Sequence, residues 1–201
     1  MTILILIGGN PGTGKTTISE KVARNLRAAW MDNQYLDPMM DHALLLAGAG
    51  PQQYDTPHYK QLRPVLYAAA KNIVTAQLHT GLPTIWSAPM QSEFVKNDDR
   101  FLTEMGHIAA QAQAKFLPVW LWAPEDVTKQ RLITRKEDKD KNKIDNWPDY
   151  ASQIHFGPIV DTRVRHLQAL SIPVLNIENP DADADLAVNK IVETSRELLA
   201  R

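Results

Sequence analysis

Gly9-Asn10-Pro11-Gly12-Thr13-Gly14-Lys15-Thr16 fits the spacing G-x-x-x-x-G-K-[ST], and the residues on either side agree with that pattern. Ile3-Leu4-Ile5-Leu6-Ile7 stands just before it, an unbroken apolar run suited to a strand buried on both faces. Ile18, Val22 and Leu26 follow at four-residue spacing, which places them on one face of a helix. Strand, glycine-rich turn and helix is the context this spacing requires. Gly9, Gly12 and Gly14 let the backbone bend tightly and come close to a ligand.

The chemistry follows from that geometry. In this P-loop, residues 9–17, with Asn10, Pro11, Thr13 and Thr17 completing the turn, wrap a polyphosphate. The loop amides form an anion nest and the helix N-terminus adds positive potential. Lys15 can reach β- and γ-phosphates, and the Thr16 hydroxyl can bind Mg²⁺. Composition narrows the rest. The 201 residues suit one domain, 1–201, with room for a small insertion. With 22 Lys+Arg against 23 Asp+Glu, nothing supports a nucleic-acid or anionic-membrane surface. The absence of Cys excludes disulfides, thiolate catalysis and cysteine-based zinc sites, and it fits a reducing compartment. The N-terminal apolar run is too short for a signal-peptide core or a membrane span, so the expected location is the cytoplasm.

Five short apolar runs, at 2–7, 28–31, 84–87, 116–122 and 174–177, alternate with helical patterns. That alternation predicts an α/β domain, a parallel sheet with helices on both faces. The second run could equally end the first helix. Leu62, Leu66, Ala69, Ile73 and Ala76 mark an amphipathic helix, with Thr56-Pro57 at its start and Gly81 at its end. Pro64 should kink it or mark a later start. Pro124-Glu125-Asp126 opens another helix with proline at the first position. The last helix begins within Asp181-Ala182-Asp183-Ala184-Asp185, whose acids suit a helix N-terminus better than a metal site. The segment from Arg135 to Tyr150 interleaves Lys and Arg with Asp and Glu and has Ile144 as its sole aliphatic residue before Trp147. It reads as a mobile surface loop or lid, about 136–150, not as core. Asn142-Lys143-Ile144-Asp145 spells the guanine-reading N-K-x-D, but no buried strand precedes it, so the match is treated as coincidence.

A small kinase fits this length better than a larger motor. Such an enzyme must hold ATP, bind an acceptor hydroxyl beside the γ-phosphate and exclude water. Asp32 ends the second run, where strand ends line the ligand crevice of an open sheet. A carboxylate there can take the acceptor's proton or hold a Mg²⁺-bound water; the plainer reading is a turn or N-cap aspartate. Arg131 and Arg135 share a helix face and suit the spread charge of a transferring phosphoryl group, though cations near a helix C-terminus need no function. Lys139, Lys141 and Lys143 read as solvated. Arg63 could reach an acceptor, although surface arginine is commoner. Where many P-loop enzymes carry a Walker-B aspartate, this chain has Ser87. Either Ser87 supports the metal shell, or Asp32 carries it alone, or catalysis is weak. Trp120 and Trp122 suit packing. The six histidines lack metal-ligand spacing; His155, after the lid, could touch substrate.

Taken in order, these features resemble the small ATP-dependent P-loop kinases, adenylate-kinase-like and gluconate/shikimate-kinase-like, and the AAA-domain group related to zeta toxins and chloramphenicol phosphotransferase. The likeness covers most of the chain. Beyond the P-loop it is carried by Ala123-Pro124-Glu125-Asp126, Arg131-Leu132 and Arg135 leading into the lid, by Trp147 and Tyr150 within it, and by Val174-Leu175-Asn176-Ile177-Glu178-Asn179, which resembles the last strand and an adenine-cradling loop. The resemblance implies a P-loop three-layer sandwich whose five parallel strands run 2-3-1-4-5. It also implies ATP with Mg²⁺ and phosphoryl transfer to a hydroxyl of a small molecule. Ser87 and Asn33 depart from the sugar-acid kinases, so gluconate or shikimate does not follow. The reading that results is an ATP-dependent phosphotransferase. Lys15, Arg131 and Arg135 stabilise charge in it, Asp32 acts on the acceptor and with Thr16 on the metal, and Arg63 and Ser87 are candidate acceptor contacts. Two alternatives stay open: a nucleotide-binding ATPase switch acting on a protein partner, and a nucleoside or nucleotide kinase. Oligomeric state is not legible.

Overall fold

The computed structural model describes residues 2–54, 56–95, 99–154, 161–179 and 184–201. Five strands, β1 (Thr2–Gly9), β2 (Ala29–Asp32), β3 (Thr84–Ser87), β4 (Ala114–Trp122) and β5 (Leu175–Glu178), form one parallel sheet in the order β2-β3-β1-β4-β5. The described helices are α1 (Lys15–Leu26), α2 (Asp37–Leu46), α3 (Pro57–His79), α4 (Gln91–Val95), α5 (Arg100–Gln111), α6 (Glu125–Arg135), α7 (Asp138–Asp145), α8 (Trp147–Gln153), α9 (Asp161–Ala169) and α10 (Asp185–Ala200). Each expected strand is found within two residues of its expected bounds. Ala28-Ala29 does not extend the first helix: Arg27 turns into the left-handed region, φ 51°, and ends α1.

The apolar run of β1 works because it lies at the centre and is covered on both sides. Successive side chains of a strand point to opposite faces. Ile3, Ile5 and Ile7 therefore meet Ile18 and Val22 of α1 and Val188 and Ile191 of α10. Leu4 and Leu6 meet Leu66, Ala70 and Val74 of α3, Leu102 and Met105 of α5, and the ring cluster of Trp86, Phe94 and Trp120. All five β1 side chains from Ile3 to Ile7 are fully buried. At roughly 1.5–3 kcal/mol for each, this strand contributes on the order of 10 kcal/mol of burial. Ile5→Ala alone should cost about 2–5 kcal/mol. Trp120 packs on Phe94 at 5.5 Å between ring centroids, the packing role expected of it.

Three expectations are corrected in detail. Of the two outcomes expected at Pro64, the later start does not occur: α3 begins at Pro57 and runs through Pro64, and Pro64 and Lys60 are both exposed. Its buried face is Leu66, Tyr67, Ala70, Val74 and Leu78, one residue around from the expected set, and Ile73 is exposed. Two four-residue rows lay side by side in the sequence, and packing against Trp86 selects one. Pro124 is the N-cap of α6, not its first residue.

The segment expected as a mobile surface loop or lid is helical, as α7 and α8, and not a loop. Its charges pair with one another, and Asp140 is only 1% exposed. Trp147 is buried beside α6, where its Nε1 donates to Glu125 Oε1 at 2.9 Å. Asn142–Asp145 lies inside α7, which removes the N-K-x-D reading. Asp181, Asp183 and His155 lie outside the described residues; α10 is described from Asp185.

Candidate functional site

The P-loop is built from contacts that only its sequence permits. Gly12 and Gly14 hold φ of 82° and 86°, the left-handed region that side chains resist. A Cβ on Gly14 would lie 2.6 Å from Asn179 Nδ2, and one on Gly9 2.4 Å from the Leu121 carbonyl oxygen. Thr13 Oγ1 and Lys15 Nζ both donate to the Asn10 carbonyl, at 2.9 and 2.7 Å. Asn179, at the end of β5, donates through Nδ2 to the Thr13 carbonyl at 2.9 Å. Arg131 Nη1 donates to the carbonyls of Gly12 at 3.3 Å and Asn179 at 3.1 Å. The loop is thus tied to α6 and to the residue that follows β5. Desolvation lowers the Lys15 ammonium to about 7; Arg135 and Lys139 press the same way, while Asp32 and Asp140 oppose.

Asp32 ends β2 and is 4% exposed. Its Oδ2 accepts from Thr16 Oγ1 and from Ser87 Oγ, each at 3.0 Å. Its Oδ1 accepts from Gln34 N at 2.9 Å, capping a 3-10 turn over Asn33–Leu36. One carboxylate therefore joins the P-loop, β2 and β3. Ser87, at the strand end where a Walker-B aspartate was sought, directs its hydroxyl to Asp32 and accepts from Trp30 Nε1 at 3.1 Å. Thr16 Oγ1 and Asp32 Oδ2 are hard oxygen donors side by side. They fit Mg²⁺, which takes one or two protein ligands and completes its shell with phosphate and water. Among the described residues no group of three His, Cys, Asp or Glu gathers for a metal. An all-protein cage for a larger ion is not what these residues build.

Arg135 and Arg131 both line the same cavity, of about 660 Å³, as Lys15, Thr16 and Asp32. The Arg135 Nε donates to Asp140 Oδ2, and Lys143 Nζ donates to Asp140 Oδ1 at 3.3 Å. Lys139 Nζ lies 3.0 Å from Glu137 and 3.5 Å from Asp37. Lys139 and Lys143 were expected to be solvated; the structure turns both into the cavity wall, with side chains 16% and 12% exposed. The reason is Asp140 and Asp37, which draw the ammonium groups inward. Asp140 was hidden in a polar run, with no spacing that paired it with Arg135.

Arg63 also lines the cavity, yet its charge is already matched. Its Nη2 lies 2.9 and 3.0 Å from the two Glu93 oxygens, and its guanidinium stacks 4.1 Å above the Tyr67 ring. Tyr54, Tyr59, Asp37, Gln91 and Ser92 complete that side, and no motif marked them in the sequence. No described helix is long and apolar enough to cross a membrane.

Comparisons with known proteins agree with this architecture. No curated protein sequence matches the chain. Among solved structures, a candidate kinase from Chloroflexus aurantiacus is 17% identical, with a TM-score of 0.64 and coverage of 98% of this chain and 97% of that one. The PezAT toxin–antitoxin structure of Streptococcus pneumoniae is 16% identical, with a TM-score of 0.60 and coverage of 100% and 88%. A gluconokinase from Sinorhizobium meliloti is 17% identical, with a TM-score of 0.51 and coverage of 99% and 92%. At such identities the likeness is one of fold. The sequence model of the AAA-domain family matches residues 4–149, from β1 into α8. The chain belongs to the AAA-domain family and has the fold of the small P-loop kinases.

Proposed function

We propose that this protein is an ATP-dependent phosphotransferase that moves the γ-phosphoryl group to a hydroxyl of a small molecule. The carrying observation is the position of Asp32. Its carboxylate touches the Thr16 hydroxyl of the P-loop on one side and Ser87 of β3 on the other, within a cavity that reaches Tyr54, Tyr59 and Gln91. A group that only capped a turn would not need to bridge both sides.

In this reading residues 9–17 hold the triphosphate and Lys15 reaches its β- and γ-oxygens. Arg131 and Arg135 face the charge that spreads over the transferring group. Thr16 and Asp32 would hold Mg²⁺, which neutralises phosphate oxygens when bound. Asp32 orients the acceptor hydroxyl and takes its proton. The segment 136–150 acts as a lid within one kinase domain, excluding water from the phosphates. The decisive assay is ADP formation by the purified chain with ATP, Mg²⁺ and a panel of alcohols. Acceleration by at least one alcohol, with a phosphorylated product, is expected. ATP consumption indifferent to every alcohol would instead favour a nucleotide-dependent switch.

A further inference from the structure

The cavity has two ends, and their charges differ. The phosphate end is built by the P-loop, α6 and the end of β5, on the β1-β4-β5 side of the sheet. The opposite end is built on the β2-β3 side, by the residues after β2, by Tyr54, Tyr59, Arg63 and Leu66 in and before α3, and by the residues after β3. Asp32 sits at the junction, since it bonds to Thr16 on one side and Ser87 on the other.

On the β2-β3 side the described cations are already matched. Arg63 is held by both oxygens of Glu93 and stacked on Tyr67. Lys139 lies between Asp37 and Glu137. Asp32 adds a carboxylate. An acceptor bearing a carboxylate or phosphate would therefore meet no uncompensated positive charge among the described residues on this side. It would add a negative charge beside Glu93, Asp37 and Asp32, and the guanidinium N–H groups that remain on Arg63 belong to a charge Glu93 already matches.

Between these matched charges the wall is apolar. The Tyr54 and Tyr59 rings lie together at 5.1 Å between centroids, and Leu66, Pro89 and Ile154 continue the surface. Aromatic rings that line a cavity take up apolar surface. Gln91 and Ser92 add neutral hydrogen-bonding groups. Such a lining is the usual composition of a site for a mostly apolar ligand with a few polar anchors.

We infer that the acceptor is an uncharged alcohol with an apolar ring face, rather than a sugar acid or a sugar phosphate. This rests on the proposed phosphotransfer reading and narrows it to a substrate class.

The test measures binding and transfer separately on the full chain. Binding is followed by thermal shift and calorimetry with Mg²⁺ and β,γ-imido-ATP; transfer is followed with ATP. The uncharged arm is 1-phenyl-1,3-propanediol, uridine and methyl glucoside; the anionic arm is gluconate, shikimate and glucose 6-phosphate. At least one uncharged member is expected to stabilise the protein at millimolar concentration by mass action, and by at least about tenfold in Kd over every anion. Preference for an anion, or no stabilisation by any uncharged member, overturns the inference. Uncharged binding without ADP formation sinks the phosphotransfer reading and leaves the pocket assignment standing; transfer to an anion alone does the reverse. Glu93→Gln supplies an internal control. With Arg63 no longer matched, affinity for the anionic arm should rise by about tenfold or more. An unchanged anion affinity in a folded Glu93→Gln protein would mean that Arg63 was never what excludes anions, and would overturn the charge argument.

Discussion

Thr16 donates from Oγ1 to Asp32 Oδ2 across 3.0 Å, joining the second residue of α1 to the last residue of β2. β2 and β1, the strand that leads into α1, flank β3 in the sheet order, and a second hydroxyl, from Ser87 of β3, completes the link. A carboxylate accepts at up to four lone-pair positions, and Asp32 has three of them engaged by Thr16, Ser87 and Gln34. That arrangement fixes its orientation before any substrate arrives.

Asp32→Asn tests whether this fixed carboxylate works on the acceptor. The amide keeps one oxygen and the shape of the side chain, so the Gln34 cap and the P-loop should persist. Turnover should fall by about 10²–10⁴-fold, the usual range for a lost general base, while nucleotide affinity changes little. Parallel kcat and calorimetric Kd measurements decide it. Equal losses in both would reassign Asp32 to nucleotide binding.

Lys15 carries the pH dependence. Its ammonium sits at about 7 without a ligand, lowered chiefly by desolvation. Phosphate oxygens favour the charged form, so nucleotide binding above pH 7 should take up protons, and Kd should weaken as pH rises, by at most about tenfold per unit. Calorimetry in two buffers of different ionisation heat reads that uptake directly. Stability follows the same linkage with the opposite benefit. The unfolded lysine, at 10.5, binds more protons than the folded one between about pH 7 and 10.5, so the free protein gains stability as pH rises through that window. Lys15 keeps partial access to solvent, which makes the rise shallower. Lys15→Ala should flatten both effects and cut transfer by about 10²-fold or more, leaving circular dichroism unchanged. Retained phosphotransfer in that variant would count heavily against the mechanism.

Gly9 and Gly48 both have positive φ, 157° and 81°, and differ in what a Cβ would meet. A Cβ on Gly9 meets the Leu121 carbonyl of the neighbouring strand at 2.4 Å, and backbone in a central sheet cannot move aside. Gly9→Ala should destabilise by about 2–4 kcal/mol and lower Tm by several degrees. Gly48 has a φ of 81° but nothing within 4 Å of its Cβ position. Gly48→Ala should cost only about 1–2 kcal/mol, the left-handed penalty alone. Equal losses in urea unfolding would show that the contact at Gly9 relaxes.

The parts legible in the sequence are those set by neighbours in the chain. The β1 run, the glycine turn, the Thr56-Pro57 helix start and Asp32 at a strand end each follow from local rules. Ser87 was legible as an anomaly, and the structure shows its hydroxyl bonded to Asp32. What was not legible depends on which distant groups meet. Asp140 looks like any acid in a charged run until Arg135 and Lys143 close on it, and Arg63 looks like a free cation until Glu93, thirty residues on, matches it. The choice between the two apolar rows of α3 likewise belongs to Trp86, on another element.

Asp140→Asn tests the proposed lid through two opposed effects. Asp140 is buried, lines the cavity and holds both Arg135 and Lys143. Removing its charge takes a carboxylate away from the space a triphosphate would fill, so nucleotide binding should tighten by a few-fold, about 1 kcal/mol. The same change frees two long cationic side chains from a fixed orientation, which costs positioning at the moment of transfer, and kcat should fall by about tenfold. A lower Kd together with a lower kcat marks an interaction that favours the transition state over the ground state. Limited proteolysis supplies the control, because a lid merely unfolded by the substitution would be cut within 136–153 even with nucleotide bound. If Kd and kcat both worsen and the segment becomes protease-sensitive, Asp140 serves to fold the lid and does not aim its cations.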